Sequence, residues 1–144
     1  MNNIAIGCDH AGFELKEKIK TYLSNKSYTV NDKGCYSNER VDYPDFGHAV
    51  ANEVLLKTVH SGILLCGSGN GIAMSANKHI GIRAAICWNE EIARLARQHN
   101  DANILVLPAR FLSDDEAFKI IDAYLNEKFE GGRHLDRIHK IDQV

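Results

Sequence analysis

The stretch Gly62-Ile63-Leu64-Leu65-Cys66-Gly67-Ser68-Gly69-Asn70-Gly71 carries an apolar run directly into a glycine-rich turn. The run is short and lacks polar alternation, which is typical of a strand buried on both faces of a parallel sheet. Glycines at alternate positions let the backbone turn sharply. Ala73, Met74 and Ala76 then indicate a helix that begins at about Gly71. The stretch therefore predicts one strand–turn–helix unit.

Four further apolar runs surround this unit, at residues 4–8, 28–30, 83–87 and 103–107. Between them apolar residues recur at helical spacing, and a capping box at 113–116 opens another helix. Strand and helix thus alternate five times. This alternation predicts an α/β fold, a three-layer α/β/α, doubly wound (Rossmann-like) sheet of five parallel strands in the order 2-1-3-4-5. The polar stretch 130–144 predicts a C-terminal tail helix.

The composition limits the classes of function. With 144 residues, 44% of them hydrophobic and 25% charged, we expect residues 1–144 to form a single domain with a buried core. The 17 basic and 19 acidic residues leave a net charge of −2, which argues against nucleic acid or a membrane as partner. Because no signal peptide or membrane-spanning run is recognisable, we expect a cytoplasmic protein.

The four cysteines, Cys8, Cys35, Cys66 and Cys87, are never spaced as C-x-x-C. This spacing disfavours a zinc ribbon and a thioredoxin-type site. A chain of this size in a reducing compartment needs no disulfides, so free thiols are predicted.

Cys66 and the loop from Gly67 to Gly71 form the first candidate site. Ligands of doubly wound folds bind beyond the carboxyl ends of the strands, where this loop begins. Backbone N–H groups at a helix N-terminus would favour an anion or a developing oxyanion, and would favour a thiolate at Cys66. A tight turn beside an inert cysteine fits the pattern equally well. The loop does not match a P-loop, a dinucleotide-binding G-x-G-x-x-G motif or a C-x5-R phosphatase loop.

Asp9 and His10 follow the first predicted strand and form a second candidate site. A carboxylate and an imidazole can hydrogen-bond sugar hydroxyls and move protons. Asp9 as a helix cap with His10 exposed is at least as good an interpretation.

His99 ends the fourth predicted helix, which starts at the carboxyl edge of the sheet and runs back for roughly 15 Å. We therefore expect His99 to lie far from Cys66 of its own chain and, if it is catalytic, to enter the site of a neighbouring subunit. Alternatively, His99 interacts with the helix dipole and Asn100 adopts a left-handed cap.

Three arginines are candidates for binding a phosphate. Arg110 follows the fifth predicted strand, and Arg133 and Arg137 share one face of the predicted tail helix. Their guanidinium groups suit a phosphate dianion. Charged residues of a tail are more commonly solvent-exposed side chains that bind no ligand.

Five motifs occur in this order along almost the whole chain. They are Gly7-Cys8-Asp9-His10-Ala11-Gly12, Asp42-Tyr43-Pro44, Cys66-Gly67-Ser68-Gly69-Asn70-Gly71, Arg97-Gln98-His99-Asn100-Asp101-Ala102-Asn103 and Gly131-Gly132-Arg133-His134. With them the chain closely resembles the type B ribose-5-phosphate isomerases of the ribose/galactose isomerase family. The resemblance implies an aldose–ketose isomerase without metal or cofactor, which interconverts ribose 5-phosphate and ribulose 5-phosphate in the pentose phosphate pathway.

The resemblance also implies a role for each site residue. Cys66 would be the base that moves a proton between C1 and C2, because positions 72–75, where other members carry a glutamate base, hold no glutamate here. His99 would assist ring opening. The substrate-binding positions would be Asp9, His10, Gly67, Ser68, Gly69, Asn70, Gly71, Asn100, Arg110, Arg133 and Arg137, with the tail arginines at the phosphate.

The assembly implied is a homodimer or a dimer of dimers with sites shared between subunits. Two alternatives stay open for the function. One is isomerisation of a six-carbon sugar phosphate, such as allose or galactose 6-phosphate, and the other is a non-catalytic sugar-phosphate-binding protein.

Overall fold

The computed structural model describes residues 2–144, and a parallel sheet of five strands lies at its centre. The strands are β1 (Asn3–Cys8), β2 (Thr29–Asp32), β3 (Ser61–Cys66), β4 (Ala84–Ile86) and β5 (Ile104–Pro108). The helices are α1 (Phe13–Asn25), α2 (Tyr43–Leu55), α3 (Asn70–Ala76), α4 (Glu90–Asn100), α5 (Asp114–Asn126) and α6 (Arg133–Ile141). The 3-10 turns His10–Gly12 and Ala109–Phe111 follow β1 and β5. The predicted α/β class is confirmed.

The strand order differs from the prediction at one side of the sheet. The observed order is β2-β1-β3-β5-β4, so the predicted order 2-1-3-4-5 is wrong for the last two strands. All five residues of β5 are buried, whereas the three residues of β4 are only partly buried. The longer apolar strand therefore occupies the interior position between β3 and β4, and the short strand forms the edge.

Helices cover both faces of the sheet. The helices α1, α4 and α5 enclose one core, which includes Ile19, Ala93 and Ile121. The helices α2 and α3 enclose the other, which includes Val50 and Ile72. This is the three-layer arrangement that the alternating pattern predicts.

Side-chain caps fix the starts of α4 and α5. Asn89 Oδ1 accepts a hydrogen bond from the backbone N–H of Ile92 at 2.9 Å. The predicted capping box is present, because Ser113 and Glu116 each accept from the other's backbone N–H. The end of α4 differs from the prediction. Asp101 (φ 45°) adopts the left-handed conformation that was expected of Asn100, which is still helical.

The predicted tail helix is α6, and the chain before it returns to α4. The backbone N–H of Glu130 donates to the carbonyl of Gln98 at 3.0 Å. Within residues 2–144, no helix combines the length and the apolar character needed to cross a membrane.

Candidate residues lie at two opposite edges of the sheet. The carboxyl edge is where β1, β3 and β5 end, and the register pairs Cys66 of β3 with Pro108 of β5 there. The amino edge is where the strands begin, and the register pairs Gly62 with Ile104 there.

Candidate active site

Cys66 is the last residue of β3, and its side chain is almost completely buried at the carboxyl edge. Every residue of β3 is buried, so the strand fixes the position of the thiol. The chain then turns through Gly69, whose φ of 82° lies in the left-handed region that favours glycine, and enters α3 at Asn70. Ser68 Oγ accepts the backbone N–H of Asn70 at 3.3 Å within this loop.

Arg110 lies over the same loop. Its backbone N–H donates to the carbonyl of Gly67 at 3.1 Å, which ties the turn after β5 to the turn after β3. A side chain at Gly67 would meet the guanidinium group, since Arg110 Nη1 lies 3.2 Å from the position of a Cβ. Arg110 therefore places a permanent positive charge beside the loop that carries Cys66.

Asp9 is buried at the end of β1 and acts as a cap. Its Oδ1 accepts the backbone N–H groups of Ala11 at 3.0 Å and Gly12 at 3.3 Å. Its own backbone N–H donates to the carbonyl of Leu65 at 3.2 Å, so Asp9 is fixed one residue from Cys66 in the neighbouring strand. The capping interpretation of this carboxylate is correct, and the cap lies inside the candidate site.

His10 begins the 3-10 turn that follows β1, and one hydrogen bond defines its tautomer. Its Nδ1 accepts the backbone N–H of Val41 at 3.3 Å. The tautomer that this bond requires carries its proton on Nε2, where it can be donated to a hydroxyl oxygen.

Tyr43 is a neighbour of the site that the sequence reasoning missed. Its ring packs against Gly71, and a side chain at Gly71 would clash with ring carbons Cε1 and Cζ. Tyr43 opens α2, and Asp42-Tyr43-Pro44 had been recognised only as a shared motif. The proline in the first turn marks a helix start, but the helix start alone does not reveal that the ring reaches the loop.

The other cysteines differ from Cys66 in their surroundings. All four thiols are free, as predicted. Burial raises the pKa of Cys8, and it raises the pKa of Cys87 to about 12. These two thiols are therefore protonated near neutral pH, and neither lies in the glycine-rich loop.

A second group of candidate residues lies at the amino edge. His99, in the last turn of α4, stacks on His134 of α6 with ring centroids 4.3 Å apart. Glu130 Oε2 lies 3.5 Å from His134 Nε2 and 4.0 Å from His99 Nε2. We call His99, Glu130 and His134 the tail cluster. Burial, followed by the charges of Arg133 and His99, lowers the pKa of His134.

A cavity of about 330 Å³ adjoins the tail cluster, and its wall includes Asn100 and Arg137. Arg133 is the exposed first residue of α6, next to His134. A second, larger cavity of about 610 Å³ also borders Asn100, and its wall contains apolar side chains of Ile80, Ile82 and Ile141. The amino edge therefore presents concave surface beside the predicted tail residues.

One chain thus places the predicted site residues in two groups. The carboxyl-edge group contains Asp9, His10, Cys66, Gly67, Ser68, Gly69, Asn70, Gly71 and Arg110. His99, Asn100, Arg133 and Arg137 lie at the other end. The five residues of β5 separate the two edges by about 13 Å along the strand. No single chain brings the two groups together.

Comparison with known proteins gives one consistent family. The family model described as Ribose/Galactose Isomerase matches residues 4–141. The chain is 45% identical to ribose-5-phosphate isomerase B of Escherichia coli, with 100% of this chain and 97% of the relative covered.

Solved structures agree with this match. The crystal structure of a ribose 5-phosphate isomerase from Thermotoga maritima superposes with a TM-score of 0.98 at 54% identity, covering 99% of this chain and 98% of that one. Ribose-5-phosphate isomerase B from Mycoplasma genitalium, solved with bound ribulose-5-phosphate, gives a TM-score of 0.93 at 46% identity, covering 98% of this chain and 94% of that one.

Proposed function

Because the chain belongs to the ribose/galactose isomerase family, it is an aldose–ketose isomerase, and we propose that Cys66 carries out its interconversion of ribose 5-phosphate and ribulose 5-phosphate. The observation that carries this assignment is the position of Cys66. Cys66 ends a fully buried strand and leads into a glycine-rich loop, and backbone hydrogen bonds join this segment to Asp9 and Arg110. Among residues 2–144, no other cysteine leads directly into this loop.

The chemistry needed at Cys66 is a proton transfer between two adjacent carbons. The thiolate removes the proton from C2 of the open-chain aldose, and the electron pair of that C–H bond forms the enediolate. Return of that proton to C1, with transfer of the O2 hydroxyl proton to O1, gives the ketose and regenerates the thiolate. In this proposal backbone N–H groups of the loop and the hydroxyl of Ser68 donate to the oxyanion, so no metal or cofactor is needed.

His99 is the proposed proton donor for opening the sugar ring. Since His99 and Cys66 lie at opposite edges of one chain, we propose that a second copy of the chain supplies the histidine. The concave surface at the amino edge, beside Asn100 and Arg137, is a suitable seat for the loop of that copy. The proposed unit is a homodimer, alone or in a dimer of dimers, with two shared sites.

The remaining site residues have binding roles in this proposal. His10 donates from Nε2 to a sugar hydroxyl, and the buried Asp9 accepts from one. Arg133 and Arg137 of the second copy hold the phosphate, with Arg110 of the first copy beside the loop. We further propose that the enzyme works in the cytoplasm, in the pentose phosphate pathway.

A panel of substrates tests the proposed function. Purified wild-type protein is given equal concentrations of ribose 5-phosphate, allose 6-phosphate and galactose 6-phosphate, and ketose formation is followed. We expect the highest kcat/KM for ribose 5-phosphate. A higher value for either six-carbon sugar would contradict the substrate assignment. Ligand binding without exchange of the C2 proton would indicate a sugar-phosphate-binding protein instead.

A further inference from the structure

Beside the proposed proton donor His99, the tail cluster contains two residues, Glu130 and His134, to which the proposed isomerase chemistry gives no role. His99, Glu130 and His134 each offer one ligand atom, and these atoms all lie within 4.8 Å of one another. Two imidazoles and one carboxylate are a donor set that proteins use for Zn²⁺ with a fourth position open. We propose that the tail cluster binds one Zn²⁺ per chain and that the bound ion inhibits the isomerase by occupying His99. The inhibitory part rests on the proposed role of His99.

The ligand atoms lie close to zinc-site separations, and His99 must rotate its ring to reach a shared ion. Bonds of about 2.0–2.2 Å to Zn²⁺ in a tetrahedron place neighbouring ligand atoms roughly 3.3 Å apart. The separation of 3.5 Å between Glu130 Oε2 and His134 Nε2 is already close to this value. His99 is more distant from Glu130 at 4.0 Å, and its ring is nearly parallel to that of His134. The His99 side chain is 37% exposed, so it has room to turn toward a shared ion.

An unpaired nitrogen is a second, independent sign of a ligand. His134 is 5% exposed, and its Nε2 is buried without a hydrogen-bond partner within residues 2–144. The Nε2 atom lies next to Glu130 Oε2, so a cation between them would pair both atoms.

The charges nearby set the expected strength of binding. Glu130 is the one carboxylate of the tail cluster, and the positive charges of Arg133 and Arg137 act on His134. These positive charges repel a bound cation and weaken its binding. We therefore expect a dissociation constant on the order of micromolar, weaker than that of a structural zinc site.

Calorimetric titration with Zn²⁺ tests the site in the absence of substrate. Wild-type protein should bind one ion per chain. Glu130→Gln should weaken binding at least about tenfold, because it replaces a charged ligand with a neutral one. Glu127→Gln, which changes a glutamate outside the tail cluster, is the matched control and should bind as wild type. His134→Asn is a second test of the same site. Wild-type affinity in both Glu130→Gln and His134→Asn would overturn the proposal, as would no binding below about millimolar Zn²⁺.

Co²⁺ identifies the ligands by absorption. We expect the visible bands of Co²⁺ bound to nitrogen and oxygen, with no intense near-ultraviolet band from sulfur. A sulfur band would place the ion on one of the free cysteines and would contradict the tail cluster as the site.

Isomerase assays test the inhibitory part separately. Added Zn²⁺ should inhibit wild type at the concentrations at which it binds, and a chelator should reverse the inhibition. The Glu130→Gln variant should require at least about tenfold more Zn²⁺ for the same degree of inhibition. Binding without inhibition would contradict the inhibitory part. A wild-type protein with no isomerase activity would contradict the proposed function, whereas calorimetry would still decide the zinc site.

Discussion

The carboxyl edge and the amino edge of the sheet hold their candidate residues in different ways. At the carboxyl edge, Cys66 and Asp9 end or follow buried strands, and backbone hydrogen bonds join the turns that carry them. At the amino edge, the tail cluster depends on α6, a nine-residue helix whose residues are mostly exposed. Only His134 of that helix is buried.

This difference suggests a division of labour. Removing a proton from carbon requires a base whose position is fixed by its surroundings, and a buried strand end supplies that. Opening the ring and holding the phosphate are the tasks proposed for His99 at the end of α4 and for the arginines of α6. In the proposed enzyme these residues act on the substrate of a neighbouring subunit.

The largest expected effect is at the carboxyl edge. Cys66→Ala should reduce kcat by about 10³-fold, the typical contribution of a positioned base. The thermal midpoint of unfolding should change little, because the substitution removes one atom at the end of a strand. Steady-state kinetics and calorimetry of the same preparation measure the two effects.

Cys87→Ala is the matched control for this variant. Cys87 is also a free, buried cysteine that follows a strand, but it lies outside the glycine-rich loop. Activity close to wild type is expected there. Comparable losses in both variants would show that Cys66 acts through packing, and near-normal turnover by Cys66→Ala would remove it as the base.

The next largest effect joins the two edges. Cys66→Ala and His99→Ala chains are each expected to be inactive alone. Hybrids formed by co-expression should recover about one quarter of wild-type activity, since half of randomly formed dimers are mixed and each has one intact site. Hybrids of Cys66→Ala with the Cys66→Ala/His99→Ala double variant are the control and should stay inactive. Verified hybrids without recovery would contradict a shared site.

A smaller effect separates phosphate binding from chemistry at the amino edge. Arg137→Ala should raise KM for ribose 5-phosphate by roughly 10- to 100-fold with little change in kcat, because a charge-assisted hydrogen bond is lost in both ground state and transition state. Arg94→Ala is the control, since Arg94 is exposed and, within residues 2–144, forms an ion pair only with Glu90 on the same helix. An equal change of KM in both variants would argue against a specific phosphate contact.

Sequence patterns predicted the carboxyl edge well for a physical reason. Ligands of doubly wound folds bind beyond the carboxyl ends of the strands, so Asp9, Cys66 and Arg110 were candidates from the sequence, and backbone hydrogen bonds join the turns that carry them. The predicted order would have separated Arg110 from Cys66, whereas the observed order makes β3 and β5 neighbours. The roles of these residues stay predictions. The order of β4 and β5 could not be predicted from alternation, because both runs are apolar and either order is compatible with parallel pairing.

Contacts that depend on how surface segments pack were also beyond the sequence. Tyr43 reaches Gly71 only because α2 packs beside the loop. Glu130 and His134 meet His99 because the chain folds back along α4 after α5. Glu130 and His134 lie more than thirty positions from His99 in the sequence, and this spacing matches no motif. The tail cluster is therefore visible only in the three-dimensional structure.

The smallest expected effect is a pH dependence of tail docking. Burial, with Arg133 and His99, lowers the pKa of His134 from its ordinary value of 6.5 in the docked tail, and Glu130 only partly opposes this shift. The undocked tail therefore binds the proton more readily. Docking should be complete above about pH 6.5 and should weaken as the pH falls toward the lower pKa.

Hydrogen exchange can measure this weakening against an internal reference. After correction for intrinsic rates, the amides of α6 should lose protection between about pH 7.5 and pH 5.5, while those of α5 in the same sample keep theirs. His134→Gln has no titrating group at this position, so its α6 protection should not vary over that range. An identical pH profile in wild type and His134→Gln would mean that another group controls the tail. The protonation of His134 would then not explain why the tail at the amino edge is held less firmly than the residues at the carboxyl edge.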